Sequence, residues 1–213
     1  MARNKYPELT ITQILDVSLK LFLERGFEQV RMQDIVDRLG GLTKGAVYYH
    51  FKNKEDIFDA LIEQLYQDFN PYEKVKNDAS LTGCEKIRKV ITLSFKDKRS
   101  KEILLMSNHL LKEPRFLAKQ MEDNINIIAP YIQSFIETGN KDGSLSVECP
   151  KQVAESFAFH VNIWLNPVIF TDTDEEFLKK VFLFKKIFEG IGLPVIDKEF
   201  INNIVMLKQY IAQ

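Results

Sequence analysis

The chain has 213 residues, of which 45% are hydrophobic and 28% charged, and its formal net charge is -1. This composition excludes an intrinsically disordered chain and a histone-like polycation. The two cysteines, Cys84 and Cys149, are too few for a disulfide scaffold or a four-thiolate zinc site, and they indicate a reducing cytoplasm. The polar start predicts no signal peptide. No stretch reaches the ~20 apolar residues of a membrane helix, so we expect a cytoplasmic protein without membrane contact.

Charge and aromatic residues divide the chain into a small head and a larger body. Residues 1–54 hold nine Lys and Arg against six Asp and Glu, whereas residues 55–213 hold twenty against twenty-four. Thirteen of the sixteen phenylalanines lie in the second part. We therefore predict a basic N-terminal domain over 1–54 and a second domain over 55–213.

The head shows helical periodicity throughout. Its first helix is expected to open at Thr10, as part of a capping box, and to end at Gly26. A second helix is predicted over about 32–39, followed by a glycine turn. Thr43 is then expected to cap a third helix over about 44–50.

The body is predicted to be helical to its end. Asn53 is expected to cap a fourth helix that connects it to the head, and Pro71, Asn77 and Gly83 indicate a linker after that helix. Further helices are predicted near 81–97, 100–112, 115–138, 150–168, 173–190 and 198–211. Pro130 is expected to kink the longest of these. No segment shows the apolar–polar alternation of a sheet, so the predicted fold class is all-α.

Two short helices joined by a glycine turn, in a basic three-helix head, are typical of a helix-turn-helix, here over about 32–51. On the third helix, Val47 and Phe51 fall on one side and are expected to pack in the core. The opposite side carries Gly45 and Tyr49, which is unusual for a plain surface. A glycine there would let another molecule approach closely, and the free N–H groups at the helix start could bind a phosphate.

Three segments of the head resemble the DNA-binding domain of the tetracycline-repressor (TetR) family. They are Phe22-Leu-Glu-Arg-Gly-Phe27, Asp34-Ile35 and Leu42-Thr-Lys-Gly-Ala-Val-Tyr-Tyr-His-Phe-Lys-Asn-Lys-Glu55. The similarity covers about residues 10–60. It implies an all-helical homodimer with an N-terminal three-helix domain that binds double-stranded operator DNA. It also implies a larger helical domain that binds a small-molecule effector and dimerises.

The resemblance also implies which residues contact DNA. They are Arg31, Gln33, Thr43, Lys44, Gly45, Ala46, Tyr48, Tyr49, His50 and Lys54. Tyr48, His50 and Lys54 match positions that contact phosphates. The chain departs from the family's pattern in three ways. Gly40-Gly41 lengthens the turn by one residue, Arg31 stands at a usual Ser or Thr cap, and Ala46 replaces a frequent Thr.

The two long helices of the body near 150–168 and 173–190 are apolar on several sides, which predicts burial on several sides. The resemblance places a dimer interface there, and we expect it to contain Val161, Trp164, Phe177, Val181, Phe184 and Phe188. The alternative is that these residues fill the core of one chain. Effector contacts are predicted at Phe116, Tyr131, Phe157, His160 and Trp164, although ordinary core packing would explain each of them as well.

Together these observations predict a ligand-responsive transcriptional regulator, most simply a repressor that a small molecule releases from its operator. The alternative is an all-helical binding or scaffold protein that does not read DNA. Catalysis has little support, because the sequence carries no nucleophile elbow, phosphate-cradling loop or metal-ligand spacing. We therefore expect no enzymatic activity, no metal and no cofactor.

Overall fold

The structure, a computed structural model, describes the backbone of residues 7–68, 70–96 and 114–211 and the side chains of residues 8–64, 70–95 and 117–209. The regular elements of these described segments are all helices, which confirms the all-α prediction. The helix predicted near 100–112 lies outside the described residues. The described residues form two compact units, one up to Asp68 and the other from Asn70 onward. The functional boundary predicted after residue 54 remains a prediction.

The first unit comprises α1 (Pro7–Arg25), α2 (Met32–Leu39), α3 (Lys44–His50) and α4 (Lys54–Asp68). The predicted bounds of α2 and α3 are confirmed, and Gly26 ends α1 with φ +80° as expected. The predicted cap at Thr10 is wrong, because α1 begins at Pro7 and Thr10 lies buried inside the helix. A proline suits the first helical position, where its missing N–H costs no hydrogen bond.

The core of the first unit joins all four of these helices. The fully buried side chains include Ile14 and Leu21 from α1 and Ile35, Val47 and Ile57 from the helices that follow. The ring of Phe27 lies between those of Phe22 and Phe58, with centroid distances of 5.2 and 5.4 Å. This aromatic cluster packs the chain segment after α1 against α4.

The second unit contains a helix where a linker was predicted. It comprises α5 (Pro71–Lys76), α6 (Gly83–Lys96), α7 (Pro114–Asp123), α8 (Ala129–Asp142), α9 (Pro150–Phe159), α10 (Asp174–Gly190) and α11 (Lys198–Ile211). Asn70 caps α5 by accepting the backbone N–H of Tyr72 at 3.0 Å and that of Glu73 at 3.2 Å. Pro71 and Gly83 therefore start helices. None of the described helices is long and apolar enough to cross a membrane.

Two helices of this unit continue through π turns. The turn π1 (Asn124–Ile128) joins α7 to α8, and π2 (His160–Trp164) follows α9 directly. A kink was expected at Pro130. The structure has the π turn π1 directly before the helix that contains this proline. A proline cannot donate to the preceding turn and its ring crowds that turn, so the helix deforms there.

Helices α6 and α8 cross at a close contact of glycines. A Cβ atom on Gly83 would overlap the backbone nitrogen of Gly139, so only glycine fits at this crossing. The N-terminus of α6 is also bonded to the segment that ends α8. Gly83 donates its N–H to a carboxylate oxygen of Asp142 at 2.8 Å, and Cys84 donates to Ser144 Oγ at 3.2 Å.

The core of the second unit corrects the predicted dimer interface. Four of its six residues are at most 1% exposed within a single chain, namely Phe177, Val181, Phe184 and Phe188. They lie on one side of α10 and pack inward, with the rings of Phe184 and Phe188 4.7 Å apart. A side chain buried in its own chain cannot form an exposed interface. The burial of these four favours the core alternative, while Val161 and Trp164 are half-buried.

Candidate functional sites

Helix α3 presents its polar and aromatic side away from the first unit. Thr43 Oγ1 accepts the backbone N–H of Ala46 at 3.2 Å and so caps the helix start. Val47, which is fully buried, sets the rotation of the helix against the core. As a result, Tyr49 is 84% exposed and Tyr48 is 40% exposed. The predicted inward and outward sides of α3 are thus confirmed.

Gly45 is not required by the fold of its own unit. Its φ is not positive, and an added Cβ would meet nothing nearer than Thr43 Oγ1 at 4.0 Å. Alanine is a better helix former than glycine by about 1 kcal/mol at interior positions. The chain itself therefore places no steric requirement on a glycine here, and the close approach of another molecule stays a prediction.

The turn between α2 and α3 and the start of α2 account for two departures from the family's pattern. Gly40 ends α2 in the left-handed conformation, with φ +60°, so it serves as the helix cap. At the other end, Asp34 accepts the backbone N–H of Arg31 at 2.7 Å. This carboxylate satisfies the Arg31 N–H at the start of the helix. The exposed Arg31 side chain is therefore available for other contacts.

Lys54 occupies a different environment from the other predicted phosphate contacts. Its Nζ donates to the carbonyl oxygens of Phe27 at 2.9 Å and Glu28 at 3.3 Å. It also lies 4.3 Å from the centroid of the Phe27 ring. Two of its three N–H groups are thus used within the first unit, so Lys54 holds the start of α4 to the segment that follows α1.

Other side chains around α3 are ordered by contacts on the same surface. The Lys44 ammonium lies 5.6 Å from the Tyr48 ring centroid, and the rings of Tyr49 and His50 are 5.1 Å apart. Gln33 donates its side-chain amide to Asp37 at 2.8 Å. The predicted residues of α3 therefore lie together on one exposed surface, with Lys44 as its positive charge.

Three of the five predicted effector residues lie together, and the effector site itself stays a prediction. Phe157, His160 and Trp164 share one aromatic cluster: the His160 ring lies 5.2 Å from Trp164, and the rings of His160 and Phe157 both contact Phe184 and Phe188. His160 Nδ1 donates to the carbonyl oxygen of Ser156 at 2.7 Å, which satisfies the buried side of the imidazole.

Tyr131 contacts residues outside that cluster. Its ring stacks on Tyr72 with a centroid distance of 5.0 Å, and its hydroxyl donates to a carboxylate oxygen of Glu73. Hydrogen bonds from Lys76 and from Tyr131 lower the pKa of Glu73. The Phe116 side chain lies outside the described residues.

The structure contains a groove that sequence reasoning did not find. Met121, Asn124, Ile125, Glu155 and Phe159 line it. Asn162 Nδ2 donates to Asn124 Oδ1 at 2.7 Å and links π1 to π2. The asparagines within the apolar run Asn124-Ile-Asn-Ile-Ile128 are a sequence signal for it. Among the described residues, no group of three or more His, Cys, Asp or Glu is placed to hold a metal ion.

A family model described as "Bacterial regulatory proteins, tetR family" matches residues 14–61, which extend from α1 into α4. The chain is 26% identical over 143 residues to the uncharacterized HTH-type transcriptional regulator YhgD of Bacillus subtilis, covering 66% of this chain and 74% of that protein. It is 25% identical over 152 residues to the HTH-type transcriptional repressor KstR2 of Rhodococcus jostii, covering 68% and 72%.

Solved structures share the fold over nearly the whole chain. One is SmeT, the repressor of the Stenotrophomonas maltophilia multidrug efflux pump SmeDEF, with a TM-score of 0.59 and 20% identity over 97% of this chain and 92% of SmeT. A complex of SmeT with triclosan matches with the same TM-score and identity, over 95% and 91%. The fold of both described units is therefore also the fold of known regulators.

Proposed function

The chain belongs to the tetR family of bacterial regulatory proteins, and from this premise we propose that it is a dimeric transcriptional repressor that a small molecule releases from its operator. The exposed surface of α3 with Gly45 at its start is the observation that carries the DNA-binding part. Known relatives are transcriptional regulators, which fits a protein without a catalytic role.

The DNA-binding surface consists of the exposed side of α3 with Arg31 and Gln33 at the start of α2. In a helix-turn-helix the second helix enters the major groove while the first lies across the backbone. Gly45 allows the start of α3 to come close to the duplex. Lys44 and Arg31 contribute the positive charge that phosphates require.

The dimer interface lies on the side of α10 opposite to its buried phenylalanines. Four large apolar side chains are exposed there, between 37% and 56%: Leu178, Phe182, Leu183 and Ile187. Large exposed apolar side chains in this number on one helix are typical of an interaction site on a soluble protein. A two-fold dimer through it would present two recognition helices to successive major grooves, about 34–36 Å apart.

The effector binds in the second unit and acts by preferring the state of the protein that does not bind DNA. A solved structure with this fold holds triclosan, which supports a small-molecule effector for this chain. Binding coupled in this way is reciprocal, so saturating DNA must weaken effector binding by the same factor.

Fluorescence anisotropy with duplex DNA from beside the protein's own gene tests the proposal. Affinity should fall with salt, and Lys44→Ala should flatten the log–log slope by about 0.9, the value for one lost phosphate contact on B-DNA. Lys89→Ala, which removes an exposed lysine of α6 in the second unit, serves as the matched control and should leave the slope unchanged. A protein that shows no salt-dependent binding to any duplex would favour the alternative of a helical binding or scaffold protein.

A further inference from the structure

A pair of asparagines joins the two π turns of the second unit. Asn124 begins π1 and Asn162 lies within π2, and their side chains are hydrogen-bonded at 2.7 Å. A π turn inserts an extra residue into a helix, and such turns are frequent at functional sites. The position of the Asn124 amide is therefore determined by both turns together.

The Asn124 amide has one hydrogen-bonding group left over. The residue is 4% exposed, its oxygen accepts from Asn162, and its Nδ2 is buried without a hydrogen-bond partner. A buried donor without an acceptor is costly, because it has lost its bonds to water and gained none. Asn124 also lines the groove described above, so an acceptor held in the groove would satisfy this donor once the amide turns toward it.

The rest of the groove is apolar except for one carboxylate. Met121, Ile125 and Phe159 are 36%, 59% and 40% exposed and supply most of its walls. Its volume is about 110 Å³, which leaves room for a short aliphatic group. Among the lining residues that the structure describes, Glu155 alone is charged, so a negatively charged ligand would be repelled.

We propose that this groove binds an uncharged, largely apolar small molecule whose carbonyl oxygen accepts the free Nδ2–H of Asn124. The apolar part of the ligand packs on Met121, Ile125 and Phe159. This assignment deepens the proposed function and rests on it, because the occupant would be the effector. It places the effector between π1 and α9, in a groove that neither Tyr131 nor Phe157 lines.

Two titrations of the full-length protein test this assignment, with 2-hexanone as the neutral carbonyl probe and hexanoate as its charged counterpart. The ¹⁵N side-chain amide resonances of Asn124, assigned by their loss in Asn124→Asp, should shift saturably with 2-hexanone and not with hexanoate. Trp164, the single tryptophan, lies in π2 and reports affinity by fluorescence.

The Asn124→Asp variant keeps an oxygen for Asn162 and removes the donor, so 2-hexanone affinity should fall about tenfold, as expected for one lost hydrogen bond. Asn203→Asp is the matched control, because Asn203 also has a buried Nδ2 without a partner but lies in α11, outside the groove. Its affinity should equal that of the unchanged protein. Phe159→Ala should also weaken 2-hexanone about tenfold, and it tests the groove independently if Asn124→Asp does not fold.

Three results would overturn the assignment. The first is an Asn124 resonance that 2-hexanone does not shift, and the second is equal affinity in Asn124→Asp. The third is an Asn124 resonance that moves with protein concentration, which would assign the groove to a second copy of the chain. Anisotropy with operator DNA on the same samples separates the two proposals. Intact 2-hexanone binding in a protein that never binds DNA would contradict the repressor function and leave the ligand site standing.

Discussion

The ammonium group of Lys54 donates a hydrogen bond of 2.9 Å to the carbonyl oxygen of Phe27 and lies over the ring of the same residue. Lys54 is the first residue of α4, and Phe27 belongs to the segment that follows α1. The contact therefore fixes the start of α4 within the three-helix head. A lysine that was expected from sequence to contact phosphate has a structural role inside the DNA-binding unit.

Replacing this lysine should destabilise the first unit. Lys54→Ala removes two hydrogen bonds from a charged donor, so we expect a loss of about 1–2 kcal/mol in local stability. Hydrogen-exchange mass spectrometry should show roughly 5- to 30-fold faster exchange in α1 and α2, with the second unit unaffected. Lys52→Ala, which removes an exposed lysine two residues earlier, should leave exchange unchanged.

The Lys54→Ala variant also shows whether Lys54 positions α4 or contacts a DNA phosphate. If Lys54 acts by holding α4, operator affinity falls while the salt slope changes by much less than the ~0.9 of a lost phosphate contact. A slope reduced by ~0.9 with normal hydrogen exchange would instead make Lys54 a direct phosphate contact.

Gly45→Ala should weaken DNA binding without lowering the stability of the protein. The fold has room for the methyl group, so thermal unfolding of the protein should be unchanged or raised, by no more than about 1 kcal/mol. Operator affinity, measured by anisotropy, should fall at least about tenfold, because the methyl group lies where the duplex approaches.

The control for this substitution is Gly190→Ala. Gly190 is the last residue of α10, and an added Cβ would likewise meet nothing within 4 Å. Its replacement should leave operator affinity unchanged. Equal affinities for Gly45→Ala and the unchanged protein would show that the start of α3 does not lie close to DNA.

Two substitutions that lie two residues apart in α10 should have different effects on assembly. Phe182 is 56% exposed, so Phe182→Glu should give a folded monomer with normal helical circular dichroism. Phe184 is fully buried, so Phe184→Glu places a charge in the core and should prevent folding. Light scattering after size exclusion measures the mass of each variant.

Met206→Glu provides the control for Phe182→Glu. Met206 is 64% exposed and lies on α11, outside the four apolar residues of the proposed interface. This variant should stay dimeric. A Phe182→Glu protein that remains dimeric at micromolar concentration would exclude the exposed side of α10 as the interface.

Effector and operator binding should be coupled in both directions. A coupling of about 1–3 kcal/mol weakens operator binding roughly 5- to 150-fold at saturating effector, and operator weakens the effector by the same factor. Trp164 fluorescence measures the second half of this cycle. An effector that binds equally tightly with and without operator would show that its site does not regulate the head.

Much of the first unit could be predicted because its signals are local. The third helix is bounded by a capping threonine and positioned by the period of its apolar residues, and both act within a few residues of the chain. Thr43, Val47 and the exposed tyrosines were therefore placed correctly. The start of α1 was not, since Pro7 and Thr10 are both acceptable near a helix start and only the folded chain selects between them.

Only the tertiary structure decided which apolar residues belong to the core of one chain. Phe182 and Phe184 have the same chemistry, but the rings of Phe157 in α9 and Phe200 in α11 cover Phe184, whereas Phe182 is exposed. The groove at Asn124 has the same origin. Its unused donor exists because two π turns bring Asn162 to one side of the amide and leave the other side without an acceptor. The sequence by itself determined the helices and the helix-turn-helix of the N-terminal head, because propensity, capping and periodicity act locally. The partners of each side chain depend on contacts between distant segments, which become defined only when the helices pack.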